Sequence, residues 1–311
     1  LYLSDTISLF FLAACFYFFT RFYFKKRLTD LWFSVGFAGI STLIRPTGLF
    51  WIAPCLFLVL IFTQKTLTKR LIGMLGCIVI FFGMLFPWML RNQQVGAGFR
   101  LDTNIGNTLY YYNCAATVSV VTGESAEKIR QRWRAETEKE FSLNGERYPD
   151  ENSQVNYKLA KAKAVISKYP LTYLKLHLQP WTLLPDVTTF FELLGLTQTG
   201  RGTLDILTRK GLICATKHYF GEKIWLLFLA LPLLFIVFLT YLGCAIQLCL
   251  WVVQKNWFLF FFFLAFVGYY LVLPGPITMP RYQLPALPLM TIMSGMAIMA
   301  LYKRVVTIYY K

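Results

Sequence analysis

Long apolar blocks with almost no charge divide this chain. Runs of about 17–25 such residues are typical of membrane-spanning helices. Blocks of this kind lie at 7–24, 31–62, 71–90, 224–253, 257–274 and 283–302. The 31–62 block would form about 48 Å of helix at about 1.5 Å per residue, which is too long for one span. Because Pro46 disfavours helix at Arg45, we expect two short helices, 31–44 and 47–62, and therefore seven membrane segments.

A long polar segment, residues 92–223, separates the first four apolar stretches from the last three. Within it, the charged stretch 124–141 and the stretch 153–168 have helical patterns. The run 171–184 is a candidate for a helix at the membrane surface. The sequence therefore predicts an all-α polytopic membrane protein, divided into helices over 1–91, a partly helical exoplasmic domain over 92–223, and helices over 224–311.

Composition and charge agree with a membrane protein. The chain is 57% apolar and 15% charged, with a mean hydropathy of +0.52, whereas soluble domains are about 25% charged. The net charge of +16 alone suggests an anionic partner such as nucleic acid. With segment 21–30 in the cytoplasm, however, eleven cations fall on the cytoplasmic side: Arg21, Lys25, Lys26, Arg27, Lys65, Lys69, Arg70, Lys255, Lys303, Arg304 and Lys311. This is the positive-inside pattern, so topology accounts for most of the charge, and nucleic acid is not an expected partner.

Three arginines do not follow that pattern, because they lie at the predicted exoplasmic ends of spans. They are Arg45, Arg91 and Arg281, each close to a proline. A cation near hydrocarbon is costly and invites a functional interpretation, and the planar guanidinium suits a phosphate. The alternative is that each side chain reaches headgroups or satisfies carbonyls freed by the prolines.

The other chemistry-bearing residues of the exoplasmic side are few. Asp5 is a candidate partner of a helix N-terminus, a weaker candidate general base, and a weaker candidate ligand for a divalent metal. The spacing of cysteines and histidines does not resemble a zinc site, and no cofactor is assigned. Cys114 and Cys214 are the cysteines outside the spans, and that compartment permits a disulfide, although the sequence gives no distance between them.

The stretch 103–113 (TNIGNTLYYYN) combines amides with a tyrosine triplet. Aromatic faces and amides of this kind are able to line a sugar site, with Tyr110, Tyr111 and Asn113 as the contacts. The alternative is an ordinary loop packed on the membrane domain.

Four segments together resemble a known family. They are LIRPTG at 43–48, FPWMLRN at 86–92 leading to NTLYY at 107–111, RYQLPALP at 281–288, and LSDT at 3–6. In order and spacing they resemble the GT-C superfamily of polytopic glycosyltransferases, in particular the dolichyl-phosphate-mannose protein mannosyltransferases and the aminoarabinose transferases.

The resemblance implies an inverting transfer of a sugar from a polyprenyl-phosphate donor on the exoplasmic face. The acceptor would be a glycan, a lipid or a protein. It implies that Arg45, Arg91 and Arg281 bind the lipid phosphate, and that Tyr110, Tyr111, Asn113 and Tyr282 contact the sugar or acceptor. In this family the base lies in the first external loop, upstream of Leu1. We therefore expect the chain to be the C-terminal two-thirds of an enzyme and inactive alone.

Two other functions remain open at this point. A lipid-linked glycan polymerase or ligase also has many spans, a long exoplasmic segment and phosphate-binding arginines. A transporter or flippase is less favoured, because the sequence has no internal repeat and its intramembrane charges lie at helix ends. The chain has no Asn-x-Ser/Thr sequon, which favours a bacterial inner membrane over the endoplasmic reticulum.

Overall fold

The computed structural model describes residues 2–49, 66–178, 206, 210–221, 225–277 and 280–309. In these ranges all regular secondary structure is helical. The helices are, in chain order, α1 (Tyr2–Lys25), α2 (Leu28–Ile44), α3 (Leu67–Gln94), α4 (Ala115–Thr122), α5 (Ala126–Leu143), α6 (Glu151–Lys168), α7 (Pro170–Leu178), α8 (Leu212–Phe220), α9 (Leu226–Val253), α10 (Trp257–Val272) and α11 (Leu287–Tyr309). A helical turn at Ile105–Asn107 and a π-helical segment at Thr108–Cys114 precede α4, and 3-10 turns cover Pro46–Gly48 and Pro280–Gln283.

The helices predicted from the apolar blocks are present as α1, α2, α3, α9, α10 and α11. Of these, α1, α3 and α9 are long and apolar enough to cross a membrane. The predicted helix at 47–62 begins in the 3-10 turn and otherwise lies outside the described residues. Contacts divide the chain into two compact units, one made of residues 1–179 and 256–277, the other of 180–255 and 278–311.

In the first unit, α1 and α2 form an antiparallel pair around a two-residue turn. The turn is Lys26 and Arg27, and Lys26 adopts a positive φ of 53°. Polar contacts connect positions that are nearly equidistant from this turn. Ser8 Oγ and Ser41 Oγ are 2.8 Å apart, and Cys15 Sγ and Ser34 Oγ are 3.3 Å apart. The outer surfaces of both helices are apolar. The buried polar contacts between them therefore fix the register of α1 against α2.

Helix α10 packs on α1 through aromatic rings, one pair edge to face and two pairs stacked. The ring pairs are Phe16–Phe266 at 4.9 Å, Phe19–Phe262 at 4.4 Å and Tyr23–Phe258 at 5.0 Å between centroids. Along these pairs the residue numbers rise in α1 and fall in α10, so α10 is antiparallel to α1.

Helix α3 packs on α2 in the same direction. The Trp32 ring fills the space where a side chain at Gly76 would lie, and Met84 closely approaches Gly39. The glycines are therefore points of close approach between the two helices, and a residue of α2 lies beside the residue about 45 positions later in α3.

These directions give the apolar helices of the first unit two distinct ends. The N-terminus of α1 and the C-termini of α2, α3 and α10 share one end, which we call the Arg45 end. The opposite end carries a row of cations at the ends and turns of the same helices: Arg21, Lys25, Lys26, Arg27, Lys69 and Arg70. One carboxylate, Asp30, is buried there and pairs with Arg21 at 3.3 Å.

Most of the described part of the polar segment is helical. The predicted helices at 124–141 and 153–168 are present as α5 and α6. The alternative of an ordinary loop at 103–113 does not describe residues 105–114, which are helical and continue into α4. The first half of the predicted surface helix is present as α7, and residues 179–184 lie outside the described residues.

In the second unit, α9 packs closely on α11. A Cβ at Gly243 would lie 2.2 Å from Ser294 Oγ, so this contact requires glycine. Nearby, the Cys244 thiol donates to the Met290 carbonyl at 3.2 Å, and the Tyr241 hydroxyl donates to Gln283 Oε1 at 3.3 Å.

Candidate functional site

Arg45 follows the last residue of α2 and forms a buried ion pair. Its backbone is extended (φ −134°, ψ 104°), as expected for a residue that precedes proline. This conformation directs the chain into the 3-10 turn, and the guanidinium Nη2 binds Asp5 Oδ1 at the start of α1. Both side chains are mostly buried, so the carboxylate fixes the position of the guanidinium. Asp5, the weak candidate for base or metal ligand, is therefore engaged by Arg45 in this structure.

Arg91 lies in the last turn of α3 and is exposed. Its guanidinium carbon is 4.9 Å above the Trp88 ring, and Nη1 donates to Asn92 Oδ1 at 3.1 Å. The loop after α3 folds back on these residues. Asn92 Nδ2 donates to the Arg100 carbonyl at 2.9 Å, and Trp88 Nε1 donates to the Leu101 carbonyl at 3.3 Å. The stacked ring and the amide orient the guanidinium and leave further N–H groups for a ligand.

The parallel register of α2 and α3 brings these two arginines to one level. Met84 lies against Gly39, an offset of about 45 residues. By the same offset Arg45 lies at the level of Met89 or Leu90. Arg91 is within a turn of that position, since one helical turn is about 3.6 residues. Two of the three predicted phosphate ligands thus share the Arg45 end. Arg281 and Tyr282 lie in the 3-10 turn Pro280–Gln283 of the second unit, and a shared site with the other two arginines stays a prediction.

The tyrosines predicted to contact sugar are part of a hydrophobic core. Tyr110 is buried and stacks on Trp133, with centroids 4.6 Å apart and an interplanar angle of 4°. Tyr111 is also buried, and both pack with Cys114 and Ala162. Burial raises the pKa of both phenols, so both stay protonated at neutral pH. In this arrangement the rings hold the π-helical segment against α5 and α6.

Asn113 belongs to a buried polar cluster between the π-helical segment and α7. Its Nδ2 is 3.4 Å from His177 Nε2, and its side chain also hydrogen bonds to Tyr173. Among the described atoms, Asn113 Oδ1 is buried and has no partner. An unpaired buried carbonyl costs about 1–3 kcal/mol, which makes this atom a candidate acceptor for a ligand hydroxyl.

His177 joins this cluster to the C-terminal end of α10. Its ring occupies the space where a side chain at Gly275 would lie, 2.4 Å from an added Cβ. Gly275 also has a positive φ of 58°, so glycine is required there on both grounds. Burial lowers the pKa of His177, and Nδ1 donates to the Tyr173 carbonyl at 2.9 Å. At neutral pH the ring is therefore uncharged, and Nε2 accepts from Asn113.

Sequence reasoning did not identify Tyr173 or His177, because α7 was interpreted only as a surface helix. Their spacing of four residues places them on one face of that helix, which is the available signal. It also did not pair Asp5 with Arg45. Both lie about equally far from the Lys26–Arg27 turn, and a tight antiparallel pair brings such positions together.

Metal and redox chemistry gain no additional support here. In the described ranges, no group of three or more His, Cys, Asp or Glu side chains is arranged to hold a metal ion. Cys114 and Cys214 are both free thiols in this structure, and the disulfide between them stays untested. Burial raises the pKa of Cys114 to about 12, which makes this thiol unreactive. No protein-family model, curated protein or solved structure matches the chain.

Proposed function

We propose that the protein is a membrane glycosyltransferase that moves a sugar from a polyprenyl-phosphate donor to an acceptor on the exoplasmic face. One observation carries the proposal: Arg45 and Arg91 lie at one level and one end of two parallel apolar helices, opposite the row of cations. With the cation-rich end in the cytoplasm, the Arg45 end faces the exoplasm. A phosphate on a lipid would lie at that height, at the boundary between hydrocarbon and water.

The reaction requires positive charge at the leaving group. The acceptor hydroxyl attacks the anomeric carbon and gives its proton to a general base. The bond from that carbon to the phosphate oxygen breaks, and its electron pair stays on the departing lipid phosphate. Fixed cations stabilise that charge as it develops. In the proposal Arg45 and Arg91 do this, with Arg281 as a third candidate.

The two arginines would contribute differently. Asp5 binds Arg45 at Nη2, so the guanidinium is pre-oriented. A guanidinium has five N–H donors, more than one carboxylate takes, so donors remain for a phosphate. Arg91 is exposed and held by Trp88 and Asn92, which suits a contact that forms when substrate arrives. Asn113 and Tyr282 remain the candidate contacts to sugar or acceptor. We assign Tyr110 and Tyr111 a supporting role, because their rings are buried.

The test is transfer of a labelled sugar from polyprenyl phosphate by the native protein in membranes. We expect Arg45→Gln and Arg91→Gln each to lower the rate by about 10²–10³-fold, the range seen when one preorganised donor is removed from such a site. Lys69→Gln at the opposite end is the matched control and should keep the rate of the unmodified protein. Membrane insertion, measured on the same samples, should be equal for all variants. Full turnover in both arginine variants would refute the proposal.

A further inference from the structure

The helical hairpin of α5 and α6 carries a cavity, open to the surface, that the proposed transfer step does not use. Its volume is about 420 Å³. The residues that line it come from α5, the connecting turn and α6: Glu140, Arg147, Tyr148, Tyr157, Ala160 and Lys161. Sites for small molecules have volumes of about 300–1,000 Å³, so the cavity is large enough for one or two sugar rings.

The walls of the cavity are held by the protein itself. Tyr148 is buried against Phe141 and Tyr157, with centroids 5.0 Å and 5.3 Å away. Helix α6 begins with a capping box in which Asp150 Oδ1 accepts from Ser153 N at 2.8 Å. These contacts within the protein fix the turn and the aromatic wall, which lowers the entropic cost of binding a ligand.

Two cations of the cavity have no acidic partner in the part of the chain that the structure describes. Arg147 lies over the Tyr148 ring at 5.7 Å, and Lys161 lies over the Tyr157 ring at 5.4 Å. Glu140 lines the same cavity, but it accepts from the Tyr148 hydroxyl at 3.4 Å and forms no ion pair with either cation. The donors of Arg147 and Lys161 therefore remain available to an anion.

The mixture of charges limits the kind of anion. Two cations attract a carboxylate, which a guanidinium binds with two parallel hydrogen bonds. Glu140 would repel a phosphate dianion more strongly than a singly charged carboxylate, and its oxygens accept hydrogen bonds from hydroxyl groups. The tyrosine rings supply apolar walls with phenolic groups for further hydroxyls. A ligand with one carboxylate on a hydroxylated ring satisfies all of these groups.

The hairpin is tied to the same end of the molecule as the two phosphate-binding candidates. Asn152 N, in the first turn of α6, donates to the Gly96 carbonyl at 2.9 Å, and Arg100 Nη2 donates to Asn156 Oδ1 at 2.8 Å. Residues 96–100 belong to the loop that follows Arg91. The cavity therefore lies on the side where an acceptor arrives in the proposed function.

We propose that this cavity is a binding site for an acidic saccharide, a hexuronate residue of the acceptor glycan. Arg147 and Lys161 bind the carboxylate, and Glu140 accepts from ring hydroxyls. The assignment to the acceptor rests on the proposed function, but the binding itself is measured without transfer. Arg45 and Arg91 line no part of the cavity.

The test is ligand-observed NMR and calorimetry on the native protein in lipid nanodiscs. The probe is methyl β-glucuronide, and the matched neutral probe is methyl β-glucoside, which differs only in having a hydroxymethyl group in place of the carboxylate. We expect the glucuronide to bind at least about tenfold more tightly, since hydrogen bonds to charged groups contribute about 1.5–3 kcal/mol. Arg147→Gln and Lys161→Gln should each abolish most of that preference. Lys163→Gln, on the same helix but outside the cavity, should not change it.

Different results would contradict the saccharide site and the proposed function. Equal binding of the two probes, no binding of the glucuronide, or an equal loss in Lys163→Gln would overturn the site. Inorganic phosphate that displaces the glucuronide at equal concentration would show a general anion site and also overturn it. Glucuronide binding that persists while Arg45→Gln and Arg91→Gln keep full transfer would refute the proposed function and leave this site intact.

Discussion

The apolar helices of the first unit and its α5–α6 hairpin differ in which side chains they expose and which polar groups they bury. In α1 and α2, serines, a cysteine and two ion pairs are buried together with apolar residues such as Phe22 and Leu31. Large apolar side chains such as Phe10, Phe24 and Phe33 face outward. In the hairpin, Ile129, Val155 and the tyrosines are inside, and the charged side chains are outside.

We propose that this difference reflects the surroundings of each region, lipid around the apolar helices and water around the hairpin. Apolar side chains gain nothing by leaving hydrocarbon, so helices in a membrane associate through small residues and polar contacts. In water, burial of apolar surface drives packing, as in the hairpin. An exposed side chain such as Phe24, at 76% relative exposure, is stable on the outside if the outside is lipid. The following predictions test whether the two regions have different surroundings.

The largest expected effect is at the buried ion pair. Asp5→Asn leaves the Arg45 guanidinium buried and unpaired, and we expect a loss of about 3–5 kcal/mol in the free energy of unfolding. Glu124→Gln, which breaks the more exposed pair with Arg132, should cost no more than about 1 kcal/mol. Unfolding in mixed detergent measures both. The double change Asp5→Asn with Arg45→Gln should recover most of the loss, and its failure to do so would mean that the pair is not the cause.

A second comparison places a charge on each exposed apolar surface. Val79 lies near the centre of α3 with 60% of its surface exposed, and Leu143 ends α5 with 72% exposed. Val79→Lys should lower membrane insertion by about 2.5–3.5 kcal/mol, the cost of a lysine at the centre of a span. Leu143→Lys should change stability by no more than about 0.5 kcal/mol, as for a surface substitution in water. Equal effects in the two variants would contradict the assignment of lipid to one region and water to the other.

The smallest effect is expected where the two regions meet, at His177. Its pKa is lowered in the folded protein, so the unfolded chain binds a proton first as the pH falls. The contribution of His177 to stability is therefore complete above the unfolded value, about pH 6.5, and declines below it until the folded pKa is reached. Thermal unfolding between pH 7 and pH 5 should show a steeper loss for the unmodified protein than for His177→Gln. Identical slopes would show that the ring is not held neutral by burial.

Much of the fold could be predicted because long apolar helices have a strong signal along the sequence. An uncharged apolar run fixes a helix to within a few residues, as for α3 and α9. Helical spacing predicted α5 and α6 for the same reason. The helical conformation of residues 105–114 was not predicted, because glycine, asparagine and three tyrosines are all weak helix formers, and packing on Trp133 decides their conformation.

The site was predicted only in part, because its residues meet through the register between helices. The sequence identified Arg45 and Arg91 from their place at the ends of spans. The two arginines lie at one level because of the close contacts of α2 and α3 at Gly39 and Gly76. The ion pair of Arg45 with Asp5 depends on the two-residue turn between α1 and α2. Periodicity along the sequence does not reveal either the α2–α3 contacts or the ion pair, because each joins residues far apart in sequence.

The most direct measurement of the central claim is the binding of a polyprenyl monophosphate compared with the polyprenol of the same length. Both probes offer the same hydrocarbon chain, so the difference between their dissociation constants reports the contribution of the phosphate. In the unmodified protein in nanodiscs the phosphate should bind at least about tenfold more tightly. The double variant Arg45→Gln with Arg91→Gln should bind the two probes equally. An unchanged preference for the phosphate in that variant would contradict the account.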